Sequence, residues 1–154
     1  MKKELDRIDI KIISALQSNG RMTNVDLAEK VGVSAPPCLR RVRTLEKAGY
    51  LTGYHADVDF AKLGFTVTVF AMVGLHSQAD KDLQAFEELV RSWPEVRECH
   101  MLNGDIDFIL KCVSEDLSSF QMFLTQKLTP APNVANVKTS LTIRQTKKLP
   151  GVPL

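Results

Sequence analysis

The sequence predicts an α+β protein in which three short helices precede a domain with the element order βαββαβ. Two patterns support this prediction. Up to about residue 50 the apolar residues recur at helical spacing, whereas from residue 60 segments of alternating polarity are interleaved with helical ones. A chain of 154 residues is long enough for one or two small domains of this kind.

The first helix is expected over residues 5–18. Asp6 and Asp9 favour its N-terminus, and Gly20 is expected to end it. Its apolar face is formed by Leu5, Ile8, Ile12, Ala15 and Leu16.

Residues 23–47 are interpreted as two further helices joined by a tight turn. Thr23 is a good N-cap for the first of them, and Asp26 three positions later completes a pair that resembles a capping box. Gly32 stands where a left-handed residue is needed to end that helix. The three helices together predict one small core.

The last of these helices has an apolar side and a cationic side. Ser34 is expected to cap it, and Pro36 and Pro37 fall in its first turn, where backbone N–H groups lack intrahelical partners. At about 100° per residue, the apolar side carries Cys38, Leu39, Val42 and Leu45. The opposite side carries Arg40, Thr44 and Lys47, flanked by Arg41 and Arg43. A solvated face has the same pattern, but the capped helix and turn before it favour a helix-turn-helix that enters a DNA groove.

We therefore predict that the protein binds double-stranded DNA. Residues 1–53 hold ten Lys/Arg and six Asp/Glu, whereas residues 54–154 hold ten and twelve, so the basic excess coincides with the helices. The expected DNA contacts are Thr23, Asn24, Ser34, Pro36, Pro37, Arg40, Arg41, Arg43, Thr44 and Lys47. Replacing Arg40 or Arg41 with alanine is expected to weaken binding and leave the fold unchanged.

After Gly49 the chain becomes extended, as a wing or hinge strand would be. Strands are then expected at 65–75, 96–102, 106–113 and 134–146, and helices at 80–92 and 117–128. A tight Asn103-Gly104-Asp105 turn joins the middle strands. This order is the ferredoxin-like arrangement, so the whole chain is predicted to be a winged helix-turn-helix followed by a ferredoxin-like βαββαβ domain.

Both faces of the predicted sheet are apolar, although two helices can cover only one of them. Ile109 and Val113 lie on one side of a middle strand, and the other side carries Phe108, Leu110 and Cys112. The uncovered face is therefore expected to bury against a second copy of the chain.

Catalysis, metal binding and membrane insertion have little support. His55, His76 and His100 are scattered without a catalytic cluster, and Cys99 and His100 point to opposite faces of a strand. The chain has three cysteines, Cys38, Cys99 and Cys112, and this odd number indicates buried thiols in a reducing compartment. No apolar run approaches the roughly 20 residues of a membrane span, and no signal peptide is recognised. We expect no enzyme, metal, cofactor or membrane, and a cytoplasmic, nucleoid-associated protein.

The chain resembles the leucine-responsive regulatory protein/AsnC family, also called the feast–famine regulators. The resemblance runs from about residue 4 to 147 and is greatest to the leucine-responsive branch. It rests on Leu5-Asp6-Arg7-Ile8-Asp9, Asn24-Val25-Asp26-Leu27-Ala28, Gly32-Val33-Ser34, Pro37-Cys38-Leu39-Arg40-Arg41-Val42, Leu45-Glu46-Lys47-Ala48-Gly49-Tyr50, Glu98-Cys99-His100 and Asn103-Gly104-Asp105-Ile106-Asp107-Phe108. At the start of the third helix, Ala35-Pro36-Pro37 replaces the alternating Ser/Pro cap that is more usual in the family. This difference is expected to affect which DNA bases are recognised.

The resemblance implies a transcriptional regulator that pairs through its C-terminal domain, assembles as a tetramer of dimers and binds an amino-acid effector between dimers. The implied divisions are a helix-turn-helix domain at 1–50, a hinge strand or linker at 51–60, an effector-binding and oligomerisation domain at 61–147 and a tail at 148–154. An effector-independent DNA-architectural protein is the alternative.

The implied effector residues are Asn103, Gly104, Asp105 and Asp107, with Thr139 or Thr142 of the last strand as lesser candidates. A physical reason exists, since N–H groups near a glycine can approach a carboxylate and either aspartate can accept from an ammonium. Asp107 could instead have a structural role, and Asn-Gly-Asp is also an ordinary hairpin turn.

Overall fold

The computed structural model describes residues 4–154, which divide into two compact units. One unit combines residues up to 57 with residues 147–154, and the other spans residues 58–146. No helix in the described part of the chain is both long and apolar enough to cross a membrane.

Three helices form the first unit: α1 (Arg7–Ser18), α2 (Asn24–Val31) and α3 (Ala35–Lys47). The predicted N-cap of α2 is confirmed, and α1 begins after Asp6, which caps it. Asp6 accepts from the Asp9 N–H at 2.8 Å, and Thr23 Oγ1 accepts from the Asp26 N–H at 3.2 Å. Gly32 adopts the left-handed conformation at φ +80° and ends α2, as its position predicted. These local contacts satisfy N–H groups that no intrahelical carbonyl can reach.

The core of the first unit lies where the apolar stripes of the three helices meet. Each fully buried aliphatic side chain contributes about 1.5–3 kcal/mol relative to an exposed one. The buried residues are Ile12, Ala15, Leu16, Leu27, Ala28, Val31, Cys38 and Leu45.

Residues 52–59 form neither helix nor strand, and a single turn of 3₁₀ helix, Ala61–Leu63, follows them. The hinge strand expected at 51–60 is therefore not formed, because a strand needs a hydrogen-bonded neighbour and none of the described residues supplies one. The tail expected at 148–154 contacts α1, since Gln17 Nε2 donates to the Val152 carbonyl at 2.5 Å.

The second unit has the predicted βαββαβ order. Its strands form an antiparallel sheet in the order β2-β3-β1-β4, which confirms the ferredoxin-like fold. The elements are β1 (Val67–Leu75), α4 (Asp80–Arg91), β2 (Val96–Met101), β3 (Phe108–Ser114), α5 (Leu117–Phe123) and β4 (Val134–Leu141).

Two elements of this unit depart furthest from the prediction. The last strand stops at Leu141 instead of 146, and α5 continues as a π-helical turn, Leu124–Leu128. Helical spacing places Leu117 on the same side as Phe120, Leu124 and Leu128, yet Leu117 is 58 % exposed. The first residue of a helix has no preceding turn to cover it, so spacing alone overestimates its burial.

Helices α4 and α5 cover one face of the sheet. Phe86 and Phe123 pack there with Trp93, whose ring lies 5.4 Å from that of Phe123 in an edge-to-face arrangement. Phe108, Leu110 and Cys112 of β3 are fully buried beneath these rings. We call the opposite side the open face. It carries Phe70, Met72, Ile109, Lys111 and Val113, which confirms that neither side of the sheet is polar.

Candidate nucleic-acid interface and effector loop

The exposed side of α3 presents three cations. Arg40, Arg43 and Lys47 are all exposed and, within residues 4–154, form no ion pair. Pro36, Leu39, Thr44 and Ala48 complete the shallow hollow that these side chains line. The Thr44 hydroxyl donates to the Arg40 carbonyl at 2.8 Å, which orders the middle of the helix. A rigid helix with unpaired cations can contact phosphates or base edges.

Arg41 has a different position from its neighbours. Its Nη1 donates to Asp6 Oδ2 at 2.7 Å and to Asp9 Oδ1 at 2.9 Å, and the Asp9 side chain is only 1 % exposed. The Asp9 N–H and then the Arg41 guanidinium hold the pKa of Asp6 below its ordinary value, and these carboxylates raise the pKa of Arg41. Arg41 therefore joins α3 to α1, and on these contacts alanine at 41 is expected to destabilise the first unit, in contrast to the expectation from the sequence.

The remaining predicted DNA contacts lie at the start of α2 and α3. The Thr23 hydroxyl is already used, since it caps α2 and donates to Asp26 Oδ2 at 2.6 Å. Asn24 Nδ2 donates to the Ala35 carbonyl at 2.8 Å and so ties the first turn of α2 to that of α3. Ser34 occupies the N-cap of α3 but makes no capping hydrogen bond.

Ser34 and Pro36 are exposed at the N-terminus of α3, and Pro37 is half-buried. This end of the helix carries the positive end of the helix dipole, which attracts phosphate. The interface that remains open to DNA thus combines this end with Arg40, Arg43 and Lys47.

Four of the six predicted effector residues lie in the connection between β2 and β3, which we call the effector loop (residues 102–107). The connection is longer than the predicted tight turn, and the Leu102 N–H closes it by donating to the Asp107 carbonyl at 2.8 Å. Asn103, Gly104 and Asp105 are exposed at its tip.

Asp107 is half-buried and holds the end of β1. Its Oδ2 accepts from the Leu75 N–H at 2.6 Å and from Gln78 Nε2 at 3.3 Å, while its own N–H donates to the Val73 carbonyl at 3.0 Å. These contacts match the structural role that remained open for Asp107. The pairing with Gln78 could not be read from the sequence, because the two residues are 29 positions apart.

Thr139 of β4 and Thr142, which follows the end of that strand, do not join the effector loop. Thr139 lies opposite Ala71 in mid-sheet, and the Thr142 N–H donates to the Thr68 carbonyl near the start of β1. Because β1 runs from there to Leu75 at about 3.3 Å per residue, Thr142 is on the order of 20 Å from the loop.

The cysteines and acidic residues offer no reactive cluster. Cys38 and Cys112 are buried, and burial raises the pKa of the Cys112 thiol to about 12, which keeps it protonated. Cys99 is only half-buried, so the prediction of buried thiols holds for two of the three. No group of three metal-binding side chains occurs among the described residues.

Comparison with known proteins assigns both units. Residues 5–52 match the winged helix-turn-helix DNA-binding family, and residues 68–152 match the Lrp/AsnC ligand binding domain. A leucine-responsive regulatory protein of Rhizobium meliloti is 54 % identical, over 96 % of this chain and 94 % of its own. A Bkd operon transcriptional regulator of Pseudomonas aeruginosa is 42 % identical, over 98 % of this chain and 99 % of its own.

A solved structure extends the comparison to three dimensions. A transcriptional regulator of Neisseria meningitidis, in complex with L-Met, superposes with a TM-score of 0.92. It is 35 % identical, and the match covers 97 % of each chain.

Proposed function

This chain belongs to the Lrp/AsnC family of DNA-binding transcriptional regulators, and we propose that it controls transcription in response to an amino acid. The single observation that carries the proposal is the unpaired cationic side of α3, in a chain whose second unit is a ligand-binding domain of that family. The proposal has three parts: DNA contact, assembly and effector response.

For DNA contact, we infer that α3 enters the major groove with its N-terminus against phosphate. Arg40, Arg43 and Lys47 are the side chains free to reach base edges or backbone oxygens. The basic excess of one chain is modest, so binding by at least two copies is needed for useful affinity. Two α3 helices would read half-sites about one helical turn apart.

For assembly, we infer that the open face of the sheet packs against the same face of a second copy. Phe70 is 37 % exposed there, so in the isolated chain part of its aromatic surface is in contact with water. A two-fold contact between identical faces satisfies both chains at once. The family resemblance supports a further step in which four such dimers assemble and bind the effector between them.

For the effector, we infer that an amino acid binds at the tip of the effector loop. Asp105 is exposed and, in the part of the chain that is described, makes no hydrogen bond or ion pair, so it is free to accept from an ammonium. Asp107, already bonded to Leu75, would act indirectly by fixing the loop. The L-Met bound to the Neisseria meningitidis relative supports an amino acid as the ligand class.

The decisive experiment titrates each of the twenty amino acids against the purified full-length chain. Melting temperature and affinity for DNA fragments, selected from the source genome by binding, are followed together. At least one amino acid is expected to raise the melting temperature and change DNA affinity by about 5–150-fold. If DNA binds tightly and none of the twenty amino acids has any effect, the alternative function, that of an effector-independent DNA-architectural protein, is the correct one.

A further inference from the structure

A cavity of about 750 Å³ opens in the second unit, at the end of the sheet where β3 stops and β2 starts. One wall is the segment between Val58 and Phe65, and the other is formed by α5 and the π-helical turn after it. The effector loop lies before the first residue of β3, whereas the cavity contacts its last residue, Ser114, so the two sites are separated by the length of the strand.

The walls of this cavity are mainly apolar. Phe60, Phe65, Val113, Met122 and Phe123 contribute aromatic and aliphatic surface. Phe65 is 40 % exposed and Met122 is 52 % exposed, so both present apolar surface to water. A concave apolar surface of this size is the usual shape of a small-molecule site.

Two polar atoms beside the cavity lack hydrogen bonds. Ser114 is 5 % exposed, and its hydroxyl has no partner in the described residues. Glu95 Oε2 likewise has no hydrogen-bond partner in the described residues. The other oxygen of that carboxylate accepts from Lys127 Nζ at 2.7 Å. A buried polar atom without a hydrogen bond is unfavourable, so a donor that enters the cavity and reaches either oxygen after a small side-chain rotation is stabilised there.

The wall that carries Lys127 has unusual backbone geometry. Residues Leu124–Leu128 form a π-helical turn, in which the Thr129 N–H donates to the Leu124 carbonyl at 2.8 Å. Single π-helical turns are rare and frequently mark functional sites, because they redirect side chains within a helix. Here the turn contains Gln126 and Lys127, both of which line the cavity.

We propose that this cavity is a second small-molecule site, which binds an apolar molecule with a hydrogen-bond donor head, of the class of small aromatic amines. The apolar walls accept the ring, and the Ser114 hydroxyl and Glu95 Oε2 accept from the amine. Charged side chains around the cavity balance, since Arg97 and Lys127 face Glu95 and Glu115, so neither a strong anion nor a polycation is favoured.

The test uses 2-phenylethylamine as the probe and the methyl groups of the five methionines as reporters. In the full-length chain labelled with ¹³C-methyl methionine, the probe is expected to shift the Met122 signal, with a Kd of roughly 1 mM. The Met101 signal, outside the cavity, stays in place. 3-Phenylpropionate, which has the same ring but an acceptor head, is expected to bind at least about threefold more weakly.

Three variants make the test specific. Ser114→Ala removes an acceptor without removing any described hydrogen bond and is expected to weaken binding of the amine by about two- to tenfold. Met122→Trp fills the cavity and is expected to abolish binding, which is monitored through the NMR signals of the probe because the Met122 reporter is lost. Leu117→Trp, on the same helix but outside the cavity, is expected to leave binding of the probe unchanged.

Several results would overturn the proposal. These are no shift at Met122 with 10 mM probe, equal affinity for the amine and the carboxylate, or unchanged binding in Met122→Trp. Binding that disappears as the chain self-associates would also overturn it, because a second copy would then be what fills the cavity.

Discussion

Arg41 of α3 donates to the buried carboxylate of Asp9 in α1 at 2.9 Å. The two residues stand 32 positions apart, yet their pairing fixes the helix that carries the exposed cations against the rest of the first unit. An arginine from the cationic segment is thus used to position the recognition helix, while its neighbour Arg40 remains free.

Replacing Arg41 with alanine is expected to destabilise the first unit. The change removes the hydrogen bond from Arg41 to the Asp9 carboxylate, whose side chain is only 1 % exposed, and the loss of such a charge-assisted hydrogen bond costs about 1–3 kcal/mol. Urea denaturation near pH 7 measures the loss, and Arg40→Ala, which removes an exposed guanidinium of the same helix, is the matched control and should stay within about 0.5 kcal/mol of wild type. Equal stability of the Arg41 variant and wild type would show that the pair contributes nothing.

The Asp6 carboxylate makes part of this stability depend on pH. The Asp9 N–H and Arg41 hold its pKa below the ordinary value of 3.8, so the folded state binds its proton less readily than the unfolded chain. Its contribution is present above pH 3.8 and is lost as the pH falls through the lowered value. Asp6→Asn keeps an oxygen for the cap but removes the charge.

The difference in urea midpoint between wild type and Asp6→Asn should therefore be constant from about pH 7 to 5 and vanish below the lowered pKa. Asp105→Asn, at an exposed carboxylate for which no described partner exists, is the matched control variant. A difference that grows toward acid pH would reverse the assigned direction of the pKa shift.

Arg40→Ala is expected to weaken DNA binding without loss of stability. A charge-assisted contact to a base or phosphate contributes about 1–3 kcal/mol, or roughly five- to 150-fold in affinity. If the contact is to phosphate, the slope of log affinity against log salt should also fall by about one. Arg91→Ala, at a 72 % exposed arginine of α4, is the control. The assignment fails if both variants bind as wild type does at low salt.

Local features of the first unit could be predicted because their causes lie within a few residues. The cap at Thr23 and the left-handed Gly32 depend only on neighbours along the chain, so sequence spacing was sufficient to find them. The partner of Arg41 could not be predicted, because helical projection places a side chain on a face and does not say which distant carboxylate lies there.

The second unit shows the same distinction. Alternation placed Phe108 and Ile109 on opposite sides of β3 correctly, since side-chain direction is fixed by the strand itself. The register of β4 puts Thr142 at the far end of β1 from the effector loop, and register follows from strand pairing that the sequence did not reveal. The hydrogen bond from Leu75 to Asp107 likewise depends on how β1 and β3 align.

If the chain pairs through the open face as proposed, Phe70→Glu is expected to yield monomers. Phe70 lies opposite Lys111 on the open face, so a glutamate there has a cation nearby in the isolated chain but is buried without enough partners in a sheet-to-sheet dimer. Loss of a central aromatic costs about 2 kcal/mol or more at an interface, and the two-fold symmetry doubles it.

Sedimentation of the full-length chain at micromolar concentration checks this expectation. Leu117→Glu, at a 58 % exposed leucine on the helical side of the unit, is the control and should sediment as wild type does. Unchanged assembly of Phe70→Glu would show that the open face is not the contact.

Asp105 and Asp107 of the effector loop differ in their contacts, so their variants are expected to behave differently. Asp105→Ala is expected to reduce affinity for the amino-acid effector while melting temperature without effector stays constant, because the carboxylate is exposed at the loop tip. Asp107→Ala is expected to lower melting temperature first, since the Leu75 N–H loses its acceptor.

Asp107→Asn decides whether the charge of Asp107 also contacts the effector. The amide oxygen can still accept from Leu75, so the loop should remain folded while any ion pair with a ligand ammonium is lost. Calorimetric titration of the three variants with the active amino acid, alongside melting curves, is the measurement. If Asp107→Asn binds as wild type does and Asp105→Ala does not, the ammonium contact belongs to Asp105 and Asp107 is a positioning residue. If Asp105→Ala keeps full affinity, the carboxylate at the loop tip has no part in recognition, and the response must arise elsewhere in the assembly.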